Sequence, residues 1–118
     1  MRRAEAEKHG RRGEVLAAWW LRLCGWQILA RRVKLKAGEV DIVARKGRTL
    51  AFVEVKWRRD PGRLDEAIDA YRLRRVARAA EALVPRYARH GDDVRIDVIL
   101  VAPGRWPRRI ANAWQPGA

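Results

Sequence analysis

Apolar residues in this chain recur at two periods, and the switches between those periods mark out its elements. Over 10–24, Leu16, Trp19, Trp20 and Leu23 fall at helical spacing and Gly25 stands as the stop, which predicts a first helix. Residues 26–30 resume as a short strand, and 31–37 form a basic connection. Two runs follow, 40–44 and 50–55, rich in β-branched and aromatic residues, with Arg45-Lys46-Gly47-Arg48 between them as a hairpin turn. Asp60-Pro61-Gly62 signals a loop. Over 64–87, Leu73, Val76, Ala77, Ala80, Leu83 and Tyr87 keep the helical period, predicting a second helix kinked or ended near Pro85. Arg72, Arg74, Arg75 and Arg78 lie off that stripe and give the helix a basic side. Residues 95–101 form a further strand, 108–114 a weak edge strand and 115–118 a disordered tail. The order α, β, β, β, α, β predicts an α/β sandwich whose helices cover a mixed sheet, in one domain over 1–118.

Charges sit inside the hairpin strands. With Gly47-Arg48 as a two-residue type II′ loop, Lys46 pairs with Thr49, Ala44 with Ala51, Asp41 with Glu54 and Glu39 with Lys56. Opposed residues have Cβ atoms about 4.5–5.5 Å apart, where two like charges destabilise the pair unless something compensates. A divalent cation would compensate, and magnesium suits the arrangement because it takes one or two carboxylates and fills its other positions with water and phosphate oxygens. The plainer alternative is a solvated strand face with a Glu39–Lys56 ion pair, worth about 1 kcal/mol or less. Asp97 reads as structural rather than catalytic. Trp57 alternates to the face opposite Lys56, which favours packing, although it leads into Arg58-Arg59 and could stack on a base.

Composition narrows the partners. Lys and Arg number 27 against 14 Asp and Glu, a net charge of +13, and that excess points to polyanions: nucleic acid first, an anionic membrane surface second. The membrane reading lacks an apolar face opposite the basic residues, and no apolar run is long enough to span a bilayer. Cys24 is alone, so neither an internal disulfide nor a cysteine metal site can form. The N-terminus lacks the apolar core of a secretory signal, and a cytoplasmic location is expected. His9 and His90 lie in polar segments, which argues against a histidine-centred zinc site.

An acid on the first helix, Gly38-Glu39-Val40-Asp41 on the second strand and Glu54-Val55-Lys56 on the third together resemble the PD-(D/E)xK nuclease superfamily. With Gly10-Arg11-Arg12-Gly13-Glu14, Gly25-Trp26-Gln27-Ile28-Leu29, Phe52-Val53 and Arg95-Ile96-Asp97-Val98, nearly the whole chain is similar to the small bacterial YraN-like proteins, regarded as endonucleases akin to archaeal Holliday-junction resolvases. The resemblance implies a restriction-endonuclease-like αβββαβ sandwich. It implies Asp41 and Glu54 as metal ligands, Glu14 as an outer or bridging acid, and Lys56 beside the attacking water. Mg2+ or Mn2+ is the implied cofactor and nucleic acid, DNA in particular, the implied partner, with structured or branched DNA expected by analogy. Arg58, Arg59, Arg72, Arg75 and Arg78 are the expected nucleic-acid contacts, and a homodimer is an allowed assembly. Trp57 stands where the family pattern has Thr or Ser, Arg72 and Leu73 where Lys and Gln are common, and Ala70 where proline is usual. A reading of another class remains beside the enzyme: a nucleic-acid-binding module that keeps the fold without turnover.

Overall fold

The hairpin follows the expected turn. In the computed structural model, which describes residues 3–59 and 70–114, strand β2 (Gly38–Lys46) pairs antiparallel with β3 (Thr49–Trp57). Lys46 lies opposite Thr49, Ala44 opposite Ala51 and Ile42 opposite Val53. Gly47 has φ 59° and Arg48 has no positive φ, the combination a type II′ turn demands of its first central residue. Strand β1 (Gln27–Leu35) pairs antiparallel with β2 on its outer side. Helix α2 (Ala70–Tyr87) then crosses over to β4 (Asp93–Val101), which runs parallel to β3, and a short β5 (Arg108–Ile110) pairs antiparallel with β4. The result is one five-stranded mixed sheet in the order β1-β2-β3-β4-β5.

Helix α1 (Arg3–Leu23) covers one face of this sheet and α2 the other. On the α2 face, Leu73, Val76, Ala80 and Leu83 pack on Val43, Leu50, Phe52, Val98 and Leu100, as the apolar period predicted. Pro85 lies within α2, which continues to Tyr87. Gly38 is what lets the two layers approach here, because a Cβ at this position would collide with the Arg75 backbone carbonyl.

On the α1 face the expected stripe is wrong. Leu16, Trp19 and Leu23 are 54%, 59% and 76% exposed, whereas Ala17, Ala18 and Leu21 are buried against Ile42, Val53 and Ile99. Both stripes have the helical period. The sheet beneath already supplies bulky branched side chains, so the helix that fits closely is the one presenting alanine. The helix ends in a Schellman motif, with Trp26 N–H donating to the Leu21 carbonyl, Gly25 N–H to the Arg22 carbonyl, and Gly25 at φ 92°. Lys46 Nζ donates to the Cys24 carbonyl at 2.7 Å, satisfying another terminal acceptor.

Other boundaries also differ. The segment expected as a basic connection is strand: β1 runs to Leu35, with Arg31 opposite Ile42 and Val33 opposite Val40. Neighbouring strands can pair through their backbones whatever their side chains, and the basic groups of this edge strand stay exposed. The edge strand at the other side ends at Ile110, after which Ala113 N–H donates to the Ile96 carbonyl and Trp114 packs against the α2 layer. The loop at 60–62, the helical start expected over 64–69, the tail at 115–118 and the side chain of His9 lie outside the described residues.

Candidate metal centre

Strands β2 and β3 part where the acids begin. Their paired register ends at Ile42 and Val53, so Asp41 and Glu54 are not a ladder pair as expected. Alternation slips at the same place: Val40 packs in the α2 layer and Ile42 in the α1 layer. The carboxylate of Asp41 closes the gap, accepting the Val55 N–H at 2.7 Å. Glu54, buried on the following turn of the pleat, remains close enough for its charge to act on Asp41.

That closeness is costly to ionise. Burial pushes Asp41 up to about 7, the neighbouring Glu54 charge pushes the same way, and the Val55 N–H only partly offsets them. Glu14 adds a smaller push from α1. Glu54 is held from the other side by two cations: Lys56 Nζ is 3.3 Å and Arg72 3.2 Å from its Oε1. Neither contact has hydrogen-bond geometry, and this buried oxygen is left without a hydrogen-bond partner. Burial pulls Lys56 below the usual lysine value, with the Glu54 charge opposing and Arg72 adding to the fall.

Glu14 does not join the pair directly. Arg32 Nε donates to its Oε2 at 3.2 Å, and Arg31 Nε stands 3.5 Å from its Oε1, which lacks a hydrogen-bond partner. Arg32 makes its contact from φ 55°, a left-handed conformation unusual for a side-chain-bearing residue in a strand. These two arginines were missed by the sequence reading because they lay in a presumed connection. Among the described residues no three metal-binding side chains converge into a ready-made cage. The donor set nonetheless fits a magnesium-like ion: two carboxylates forced together, one with an unsatisfied buried oxygen.

The remaining candidates separate into near and far. Arg72 reaches Glu54, whereas Arg75 and Arg78 are exposed further along α2, and Arg58 and Arg59 are exposed just beyond β3. Glu39 does not face Lys56; it is exposed and lies opposite Lys34 of β1. Trp57 packs against the α1 layer, as alternation predicted, with Gly13 beside it. Asp97 is buried and structural: it takes Arg95, Arg109 and the Asn112 N–H, the last at 2.8 Å.

Two helices on opposite faces of a mixed sheet, with Asp41 on the second strand and Glu54 and Lys56 toward the carboxyl end of the third, define a restriction-endonuclease-like αβββαβ fold. The chain belongs to Uncharacterised protein family UPF0102, the YraN family, whose family model matches residues 13–101. It is 62% identical over 116 residues to a UPF0102 protein of Sphingopyxis alaskensis, covering 98% of this chain and 100% of that relative. A UPF0102 protein of Rhizorhabdus wittichii is 63% identical over 113 residues, covering 96% of each chain, and one of Parvibaculum lavamentivorans is 48% identical over 112 residues, covering 94% and 84%.

Proposed function

We propose that this protein is a divalent-metal-dependent endonuclease that hydrolyses phosphodiester bonds in DNA. The observation that carries the reading is the juxtaposition of Asp41 and Glu54 beside Lys56, at a place where the strands separate to make room for them. Asp41 and Glu54 would hold Mg2+ or Mn2+, with Glu14 as an outer acid kept in position by Arg31 and Arg32. When bound, such an ion makes a nucleophile from water at neutral pH and offsets the charge that develops on phosphorus. Lys56 contributes a fixed positive charge next to that site, and its partly desolvated ammonium interacts more strongly with a developing anion than an exposed one would. Arg72, Arg75 and Arg78 on α2, with Arg58 and Arg59, bind backbone phosphates; their planar guanidinium groups suit that task.

A second reading rests on one contact. Arg72 and Lys56 both approach the same oxygen of Glu54, an arrangement that suits a nucleic-acid-binding module holding its acid neutralised by protein cations. Cleavage of a panel of duplex, flap and four-way-junction DNA with manganese and magnesium separates the two. On the enzyme reading, Lys56→Ala keeps DNA and metal binding and loses cleavage by about 100- to 1,000-fold. Wild-type protein that binds the panel but cuts none of it establishes the binding module. Unchanged cleavage by Lys56→Ala removes the assignment of the lysine. Calorimetry tests the ligands: Asp41→Asn abolishes manganese binding, and unchanged affinity in that variant rejects the site.

A further inference from the structure

Glu54 and Lys56 lie on the α2 side of the sheet toward the carboxyl end of β3, and the α1 side at that end carries a groove that these two side chains do not use. The groove, about 650 Å³, lies between α1 and the loop from β4 to β5, lined in part by Leu16, Trp19, Trp20 and Trp106. Trp57 and Val101, paired across β3 and β4, also line it, and Trp57 directly follows Lys56. Cluster and groove are therefore neighbours around one end of the sheet.

Its aromatic rings are presented rather than hidden. Trp106 is 79% exposed and tilts over Trp20 with ring centroids 5.4 Å apart, while the Arg22 guanidinium lies 5.2 Å over the Trp19 ring. Exposed apolar surface gathered in a groove marks an interaction site, in contrast to apolar residues scattered singly. Arg12 and Arg105 line the same groove, so its charge excludes some occupants. A symmetric contact with a second copy would set these arginines against a like-charged surface on a chain of net charge +13. A single-stranded nucleic acid supplies the complement of both features, with phosphates for arginine and base faces for indole.

We propose that this groove binds an unpaired, single-stranded segment of nucleic acid, its bases stacking on Trp106 and Trp19 and its phosphates meeting Arg12 and Arg105. A substrate with a free or branching strand is thereby held next to the acid cluster. The link to cleavage rests on the endonuclease reading; the binding itself does not.

The test measures anisotropy of a labelled short oligothymidylate and of a blunt duplex, without divalent metal, on the full chain carrying Asp41→Asn so that cleavage does not interfere. Trp106→Ala and Trp19→Ala each weaken oligothymidylate binding about 5- to 100-fold and change duplex binding less than about twofold, the size expected for loss of one stacked base. Trp106→Phe, which keeps a ring, recovers most of the loss. Undiminished oligothymidylate binding in both alanine variants overturns the proposal, as does equal loss on both DNAs. So does sedimentation showing a dimer that Trp106→Ala splits, which makes the groove a self-interface, or Trp106-dependent binding confined to phosphatidylglycerol vesicles. A wild-type protein that cuts nothing removes the endonuclease reading and leaves this binding result intact.

Discussion

The two ends of the β2–β3 hairpin handle buried charge in opposite ways. At the turn end, Arg45 forms a two-pronged pair with Asp92, NH1 to Oδ1 at 2.9 Å and NH2 to Oδ2 at 2.7 Å, and also donates to the Tyr87 carbonyl. Asp92 accepts the Arg89 N–H as well, and the two side chains are only 7% and 4% exposed. Both terminal nitrogens of Arg45 have acceptors, and the clamp ties β2 to the segment joining α2 and β4. At the open end, Asp41 and Glu54 repel, two cations crowd one oxygen of Glu54, and the backbone pairing stops. Matched charges stabilise the fold, whereas mismatched ones persist only where the surrounding packing enforces them.

Breaking the clamp has the largest expected effect on stability. Arg45→Met leaves Asp92 in a covered position without its cation, and the melting temperature falls more than for any substitution at the open end. The Arg45 guanidinium and the Arg89 N–H hold Asp92 down at about 2, below its unfolded value, so its stabilisation is present above about pH 4 and lost as pH falls through about 2. Melts between those pH values flatten in Arg45→Met; an unchanged acid limb would contradict the clamp.

At the open end the sign reverses. Because Asp41 is raised to about 7, its folded form binds the proton more tightly than the unfolded chain, and wild-type stability declines as pH rises from about 4 through 7. Asp41→Asn keeps an oxygen for the Val55 N–H and removes the charge. In urea without metal, it is about 2–4 kcal/mol more stable than wild type at pH 8 and gains nothing at pH 4. A variant less stable than wild type at pH 8 would show that the acids are not in conflict.

Gly38→Ala tests whether α2 is what presses on the open end. The added Cβ meets the Arg75 carbonyl, and the required shift costs about 1–3 kcal/mol, read as a lower urea midpoint. The smallest effect distinguishes the ends by their partners. On the proposed function, DNA affinity falls with salt by about 0.9 in log–log slope per phosphate neutralised, so Arg72→Glu and Arg75→Glu each reduce the slope by about that amount, while Arg86→Glu near the clamp leaves it alone. Equal changes at both ends would make the +13 charge a general coat rather than a local binding face.

Local pattern determined much of this architecture. The II′ turn chemistry at Gly47 set the hairpin register as far as Ile42 and Val53, the apolar period fixed the buried face of α2, and alternation sent Trp57 away from Lys56. The order of elements and the acids on β2 and β3 were legible for the same reason: each depends on residues close together in the chain. The buried face of α1 was not, since two stripes had the right spacing and only the bulk of the sheet beneath selected Ala17, Ala18 and Leu21. Nor could the chain reveal that Arg31 and Arg32 hold Glu14, that Arg72 turns in to Glu54, or that the ladder opens at Asp41. Arg45 and Asp92 lie 47 residues apart, and nothing local pairs them. These contacts join distant segments, and which charges end up buried, matched or opposed is decided only when the layers close on one another.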